Sequence, residues 1–188
     1  MPSPVGHSLM GAIIYRGAGG RVDRYQWSLL AACLFAANAP DLDFLPGLFV
    51  GDLSRFHHGP SHSIAFAFVF GLFAAIVLPF GKRRAFAIGF LNYLSHVFMD
   101  FLIDDPSWPQ GVPLFWPFSD EHYMAPMTVF RKFDYSPESS SLIATLFSID
   151  NLATIAAEIG VLLPVLVFVH WLRRKQFIAA HRPEGSTR

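Results

Sequence analysis

The residues of this 188-residue chain that could do chemistry are histidines and aspartates, and they recur in short groups set in or beside apolar sequence. In Ser95-His96-Val97-Phe98-Met99-Asp100, His96 and Asp100 stand four apart, so a helix carries both on one face. A ring nitrogen and a carboxylate so placed can bind one divalent metal; the plainer reading is a His–Asp hydrogen bond between helices. In His57-His58-Gly59-Pro60-Ser61-His62-Ser63, three histidines fall within six residues. Gly59 and Pro60 suit the passage from a loop into a helix whose first turn holds His62. Such a group supports metal ligation or proton transfer, with a solvated polar cap as the alternative. In Ala39-Pro40-Asp41-Leu42-Asp43, the alternating aspartates of an extended, Pro-bounded segment point the same way. That pair suits one ion or a bridge between two; a helix-end turn with solvated acids is the alternative. His7 stands alone between Gly6 and Ser8.

Weaker candidates are Ser119, Glu121 and His122 in one polar stretch, His170 beside a basic group, and Glu158 as a helix-end charge or a polar contact within a bundle. There is no Gly-Xaa-Ser-Xaa-Gly elbow, no phosphate-binding Gly-rich loop and no His-Glu-Xaa-Xaa-His pair. Cys33, the single cysteine, excludes an internal disulfide and a cysteine-based zinc motif, and its apolar neighbours mark it as packing.

The elements that position these groups are read from hydropathy. The chain is 53% hydrophobic and 15% charged, with 20 phenylalanines, and its formal net charge is zero. Charged residues make up about a quarter of ordinary soluble domains, so lipid is the solvent for part of this chain. Nothing in the charge pattern favours nucleic acid. The expected fold is a single all-α, polytopic transmembrane helical bundle over 1–180, with a disordered tail over 181–188. Three spans are expected, at Ile64 to Phe80, Ala85 to Ile103 and Ala153 to Leu172, the last holding Pro164. Val5 to Tyr15 and Trp27 to Ala37 are shorter and predict an N-terminal helical pair reaching partway across or lying in the interface. The N-terminus lacks the basic start of a cleaved signal peptide.

Three basic groups set an orientation: Arg16, Arg21 and Arg24; Lys82 to Arg84; and Arg173 to Lys175. One topology places all three in the cytoplasm. The stretch from Asp104 to Asn151 is then external, and Trp108, Phe115, Trp116, Phe118 and Tyr123 suit an interface. In this topology His7, Asp41, His62, His96 and Asp100 all fall toward the non-cytoplasmic ends of their segments, so separate regions meet at one depth.

Gly6-His7, Pro40-Asp41-Leu42-Asp43, His57 through Ser63, Tyr93 through Asp100 and Gly111 through Pro117 follow one another in an order that resembles the signature of the bacterial membrane-bound metal-dependent hydrolases, also called LexA-binding, inner-membrane-associated hydrolases. The likeness covers about Gly6 to Ser119. It implies a helical protein of the bacterial inner membrane. By position it implies a metal-ligand set drawn from His7, Asp41, Asp43, His57, His62, His96 and Asp100. The family's third motif usually reads His-Arg-Gly-Xaa-Thr-His-Ser; here His58 replaces the Arg and Ser61 the Thr, removing a fixed anion-binding fork. Phe44 stands where the family often has a further histidine. The LexA partner in the family's name is not carried over.

The expected reaction is metal-assisted hydrolysis. The cofactor is a divalent metal ion, zinc first, with manganese or magnesium as alternatives. His96, His62 and Asp100 are the expected ligands, and Asp41, Asp43 and His58 the candidates for catalytic roles. Location alone points to membrane lipid as the partner, and to a lipid ester or phosphoester as the substrate. The rival classes are a proton- or ion-coupled transporter, which needs polar groups distributed across the membrane, and a structural membrane protein with a closed metal shell.

Overall fold

A computed structural model of the chain describes residues 1–20, 26–52, 55–79, 81–105, 109–135 and 142–180. Arg21, Arg24, Phe80, Trp108 and the tail 181–188, which figured in the expectations above, lie outside the described residues. The fold is helical, with α1 (Pro4–Gly17), α2 (Trp27–Asn38), α3 (Phe44–Val50), α4 (Ile64–Val77), α5 (Lys82–Phe101), α6 (Leu142–Leu146) and α7 (Ile149–Ala180). Two 3₁₀ turns, Ala39–Asp43 and Pro60–His62, precede α3 and α4. The only strands among the described residues are a two-residue parallel pair, β1 (Ile103–Asp104) and β2 (Phe130–Arg131).

Local sequence explains the boundaries. Ser3 caps α1 by accepting a hydrogen bond from the Gly6 amide at 3.1 Å, with Pro4 in the first turn. Ser63 does the same for α4, accepting from Phe66 N at 3.2 Å. Gly51 closes α3 at φ 74°, a left-handed cap that glycine reaches without a steric penalty.

Small residues let the helices approach closely, as membrane bundles require. A methyl group added at Gly11 would lie 3.1 Å from Ala37 Cβ, and one at Gly71 2.9 Å from Phe90 Cβ, so α1 meets α2, and α4 meets α5, nearly backbone to backbone. Tyr15, Leu29, Cys33 and Ile88 form one buried cluster joining α1, α2 and α5. Met99, Ile103, Phe130 and Leu162 form another, joining α5 to β2 and α7. The α1 and α7 helices run parallel. Glu158 of α7 accepts from Ser3 N at 2.7 Å and from Ser3 Oγ at one end, and Arg173 donates to the Gly17 carbonyl at the other.

The spans differ from the expectation. Among the described residues two helical stretches, not three, are long and apolar enough to cross a membrane: Trp27–Gly47 and Ile149–Ala180. The first belongs to the pair expected to reach only partway. It grows because helical backbone continues from α2 through the 3₁₀ turn into α3, giving 21 residues, about 31 Å. By contrast α4 stops after 14 residues, where Leu78 turns to extended backbone, and so falls short of a 30 Å hydrocarbon core. The α5 helix has 20 residues but opens with Lys82, Arg83 and Arg84 and buries Asn92, His96 and Asp100. Pro164 sits inside α7, which is continuous over 32 residues.

Candidate metal centre

Five segments deliver the polar side chains to one point. The last two turns of α5 place His96 and Asp100 on one face, Nε2 to Oδ2 3.1 Å apart, as their spacing requires. The turn before α4 delivers His62. Ser63 holds that turn by donating to the Pro60 carbonyl at 2.7 Å, and Tyr93 of α5 ties it down by donating to the Ser61 carbonyl at 2.9 Å. Asp41 and Asp43 come from the turn Ala39–Asp43, His7 from α1, and His57 and His58 from the loop before Gly59. His7, His62, His96 and Asp100 are wholly buried.

The aspartate pair corrects one expectation. The segment is a 3₁₀ turn rather than extended, and one oxygen of each carboxylate still lies within 4.8 Å of the other and of a His57 ring nitrogen. Asp41 Oδ1 lies 3.3 Å from His96 Nε2 and 3.7 Å from His62 Nε2. Asp43 lies behind His62, its Oδ2 3.1 Å from His62 Nδ1. It also accepts from Ser61 Oγ at 2.7 Å and pairs with His57 Nδ1 at 3.0 Å.

Hydrogen-bond roles then fix the tautomers. His96 Nδ1 is 2.8 Å from the Ala37 carbonyl oxygen, which only accepts, so Nδ1 holds a proton and the neutral ring keeps its lone pair on Nε2. His62 Nδ1 faces the Asp43 carboxylate, so its Nε2 carries a lone pair as well. The two Nε2 atoms stand 3.3 Å apart, and Asp100 Oδ2 is 3.2 Å from that of His62. Four acceptor atoms, from His62, His96, Asp41 and Asp100, thus converge. Asp41 Oδ1 and both Asp100 oxygens are buried and receive no hydrogen bond of acceptable geometry.

Lone pairs and carboxylates gathered out of water repel one another unless a positive charge sits among them. Ligands about 2.0–2.1 Å from a tetrahedral zinc ion stand about 3.3–3.4 Å apart. Five of the six separations among these four atoms run from 3.1 to 3.7 Å. The donor set therefore fits a divalent metal of zinc size, with Asp43–His62 and Ala37–His96 as the outer contacts that orient metal-binding histidines. The field at His62 agrees. Burial works against charge on its ring, yet the carboxylates of Asp100, Asp41 and Asp43 outweigh burial and hold it well above its ordinary value.

The other histidines surround this point differently. His7 stacks on His96, ring centroids 3.7 Å apart and planes 15° from parallel. Nearly parallel stacked rings cannot both aim in-plane lone pairs at one ion, so with His96 among the four, His7 faces Asp100 Oδ1, 3.6 Å from its Nε2. His57 is held by Asp43 and stacked on Phe44, at 4.0 Å between ring centroids. His58 Nε2 is buried without a hydrogen bond, 4.0 Å from Asp100 Oδ2, while its Nδ1 lies 3.8 Å from Asp105 Oδ2. Burial lowers the pKa of His57 and takes that of His58 well below the usual histidine range, so both rings are neutral at pH 7. His58 has φ 57°, a left-handed backbone that a non-glycine residue adopts at a cost of about 1–3 kcal/mol and that clusters at functional sites.

Asp105 was not among the sequence candidates. It is buried, and Lys132 Nζ pairs with its other oxygen at 3.2 Å. Of the weaker candidates, Glu121 and His122 line a separate surface hollow with Pro109 and Gln110, Ser119 accepts from Glu121 N at 3.2 Å, and His170 lies in another hollow beside Arg173. Glu158 does reach into the bundle, at Ser3.

Comparison with known proteins agrees with the membrane setting. The YdjM inner membrane protein family model matches residues 1–177. The chain is also similar to the inner membrane protein YbcI of Escherichia coli strain K12, 31% identical over 142 residues that cover 70% of this chain and 76% of the relative. No solved structure matches it. The chain belongs to the YdjM inner membrane protein family.

Proposed function

We propose that this member of the YdjM inner membrane protein family is a metal-dependent hydrolase acting on a lipid ester or phosphoester. The observation that carries the reading is the convergence of His62 Nε2, His96 Nε2, Asp41 Oδ1 and Asp100 Oδ2 within 3.1–3.7 Å, with the two carboxylate oxygens buried and without a hydrogen bond of acceptable geometry. A divalent metal held by these four residues, zinc first among the candidates, would supply a Lewis acid, and a water of lowered pKa where the ion takes a fifth ligand or one of the four gives way.

The remaining chemistry belongs to the chain's own groups. His58 is neutral, so its Nε2 can take a proton at the edge of the centre. Asp105, anchored by Lys132, stands behind His58 Nδ1 and stabilises the ring once it is charged. Asp43 keeps His62 in the tautomer that leaves Nε2 free. His7, stacked on His96, fixes that ring and faces the second Asp100 oxygen. His57, through Asp43, belongs to the supporting shell.

The lipid assignment rests on the membrane setting and on an apolar groove of about 470 Å³ lined by Ile14, Leu91, Phe98, Ile64, Leu114 and Phe101. Its Ile64 and Phe101 end adjoins His62 and Asp100 in sequence, so an acyl chain lying there brings its ester toward the centre. Arg16 and Arg173 line one hollow beside Gly20, and Arg84 opens α5 at the end opposite His96 and Asp100. By the positive-inside rule that end is cytoplasmic and the centre faces the other side.

The first test is elemental mass spectrometry of the detergent-purified protein beside a His62→Ala/His96→Ala variant, followed by hydrolysis assays on lipid esters and phosphoesters in mixed micelles. Stoichiometric metal lost in the variant, with turnover of a lipid by the wild type, is the expected result. No metal after reconstitution with zinc, manganese or magnesium would overturn the metal assignment, and turnover confined to soluble esters would overturn the lipid one.

A further inference from the structure

A second apolar groove lies between α2, α4 and α5, away from the metal centre. It holds about 330 Å³ and is lined by Ala32, Phe35, Phe73, Val77, Leu78 and Gly89. Its walls are apolar, so on the outside of a membrane bundle it takes hydrocarbon. One end is set by Val77 and Leu78, where α4 stops, and there α5 begins with Lys82, Arg83 and Arg84. All three cations are exposed, and among the described residues none forms an ion pair.

Their position is electrostatically unfavourable for the isolated chain. The first turn of a helix carries a partial positive charge and prefers acidic residues. Here it holds three basic ones, no acidic one and no side-chain cap at Gly81. An anion at this spot meets three cations together with the unpaired amides of the first turn. Leu78 of the groove precedes Lys82 by four residues and Ile88 follows Arg84 by four, so one ligand that is apolar along its length and anionic at its end satisfies both.

We infer that the groove between α2, α4 and α5 binds one acyl chain of an anionic phospholipid whose phosphate rests on Lys82, Arg83 and Arg84. The lipid is a bound partner on the face of the bundle, distinct from any substrate at the metal centre, and stays bound whether or not the centre turns over. It ties α2, which ends in the Asp41 turn, to the hairpin that carries His62 and His96.

The test uses the full chain in mild detergent with ether-linked phosphatidylglycerol or phosphatidylcholine, read by native mass spectrometry with metal content measured alongside. Phosphatidylglycerol is expected to be retained at least about tenfold better than phosphatidylcholine, since each basic residue contributes to holding an anionic head group. A Lys82→Gln/Arg83→Gln/Arg84→Gln variant loses that preference while keeping its metal. Ala32→Phe, which fills the groove, loses both lipids and also keeps its metal. Should Ala32→Phe fail to fold, the charge variant decides the matter alone. Equal retention of the two lipids, or a charge variant that behaves as wild type, would overturn the inference. So would a dimer that Ala32→Phe dissociates, because the groove would then belong to a second copy of the chain. Loss of all hydrolytic activity in the wild type would leave these outcomes unchanged.

Discussion

Asp41 and Asp43 are chemically identical and two residues apart, yet they face different partners, and Asp43→Asn tests whether they also have the different roles proposed above. Asp43 touches none of the converging lone pairs. Its carboxylate holds His62 Nδ1 at 3.1 Å and His57 Nδ1 at 3.0 Å and accepts from Ser61 Oγ at 2.7 Å. Substitution by asparagine keeps the shape and one acceptor but removes the charge. The ring of His62 then loses the partner that fixes its tautomer and raises the basicity of Nε2. Losing such an outer partner costs a metal site on the order of 10- to 100-fold in affinity, or about 1.4–2.7 kcal/mol. Asp41→Asn replaces an oxygen that faces both Nε2 atoms directly, so its loss must be the larger. The assay is competition for zinc against a chromophoric chelator at fixed pH and detergent, with thermal unfolding as the control for folding. An Asp43→Asn protein that binds zinc as tightly as wild type, or more weakly than Asp41→Asn does, would refute the assignment of an outer and an inner aspartate.

Other substitutions test the neighbouring groups. His58→Gly removes the imidazole but accepts φ 57° without strain; stability should stay within about 1 kcal/mol of wild type, metal content should hold, and turnover should fall on the order of 10²–10⁴-fold. Steady-state kinetics beside a melting curve decides it, and unchanged turnover would remove His58 from the mechanism. Gly6→Ala would set a methyl group 2.7 Å from Glu158 Oε2, lowering stability by about 1–3 kcal/mol; a melting temperature equal to wild type would contradict the close approach of α1 and α7. Metal affinity should fall on acidification, because protons compete for the Nε2 atoms of His62 and His96; chelator titrations at pH 8 and pH 6 that agree would argue against imidazole ligation.

The sequence displayed the polar groups more readily than their arrangement. The spacing of His96 and Asp100 sufficed to put both on one face, because a helix leaves no freedom once its period is known. Convergence at one depth was also legible, since each group lies at the same end of an apolar run. The division of labour between Asp41 and Asp43 was not, because it depends on a 3₁₀ turn where alternation suggests extended backbone. Asp105 lies just beyond β1 in a segment with no periodicity, and the Ala37 carbonyl that orients His96 has no side-chain signature at all. Apolar length misled in a different way. Seventeen uncharged residues from Ile64 to Phe80 read as one span, but Leu78 is extended and the helix stops at Val77, whereas α2 gains length from a Pro-containing stretch that reads as a break.

The contact between Ser3 and Glu158 joins residues 155 positions apart. During synthesis α7 follows α1 by the whole of α2 to α6, so the capping serine of α1 finds its partner only after those segments have been made. The first turn of α1 leads directly to His7. A chain that stops before α7 holds the residues of the polar cluster without the clasp between Ser3 and Glu158. On the proposed reading, metal loading would then follow the docking of α7 rather than precede it.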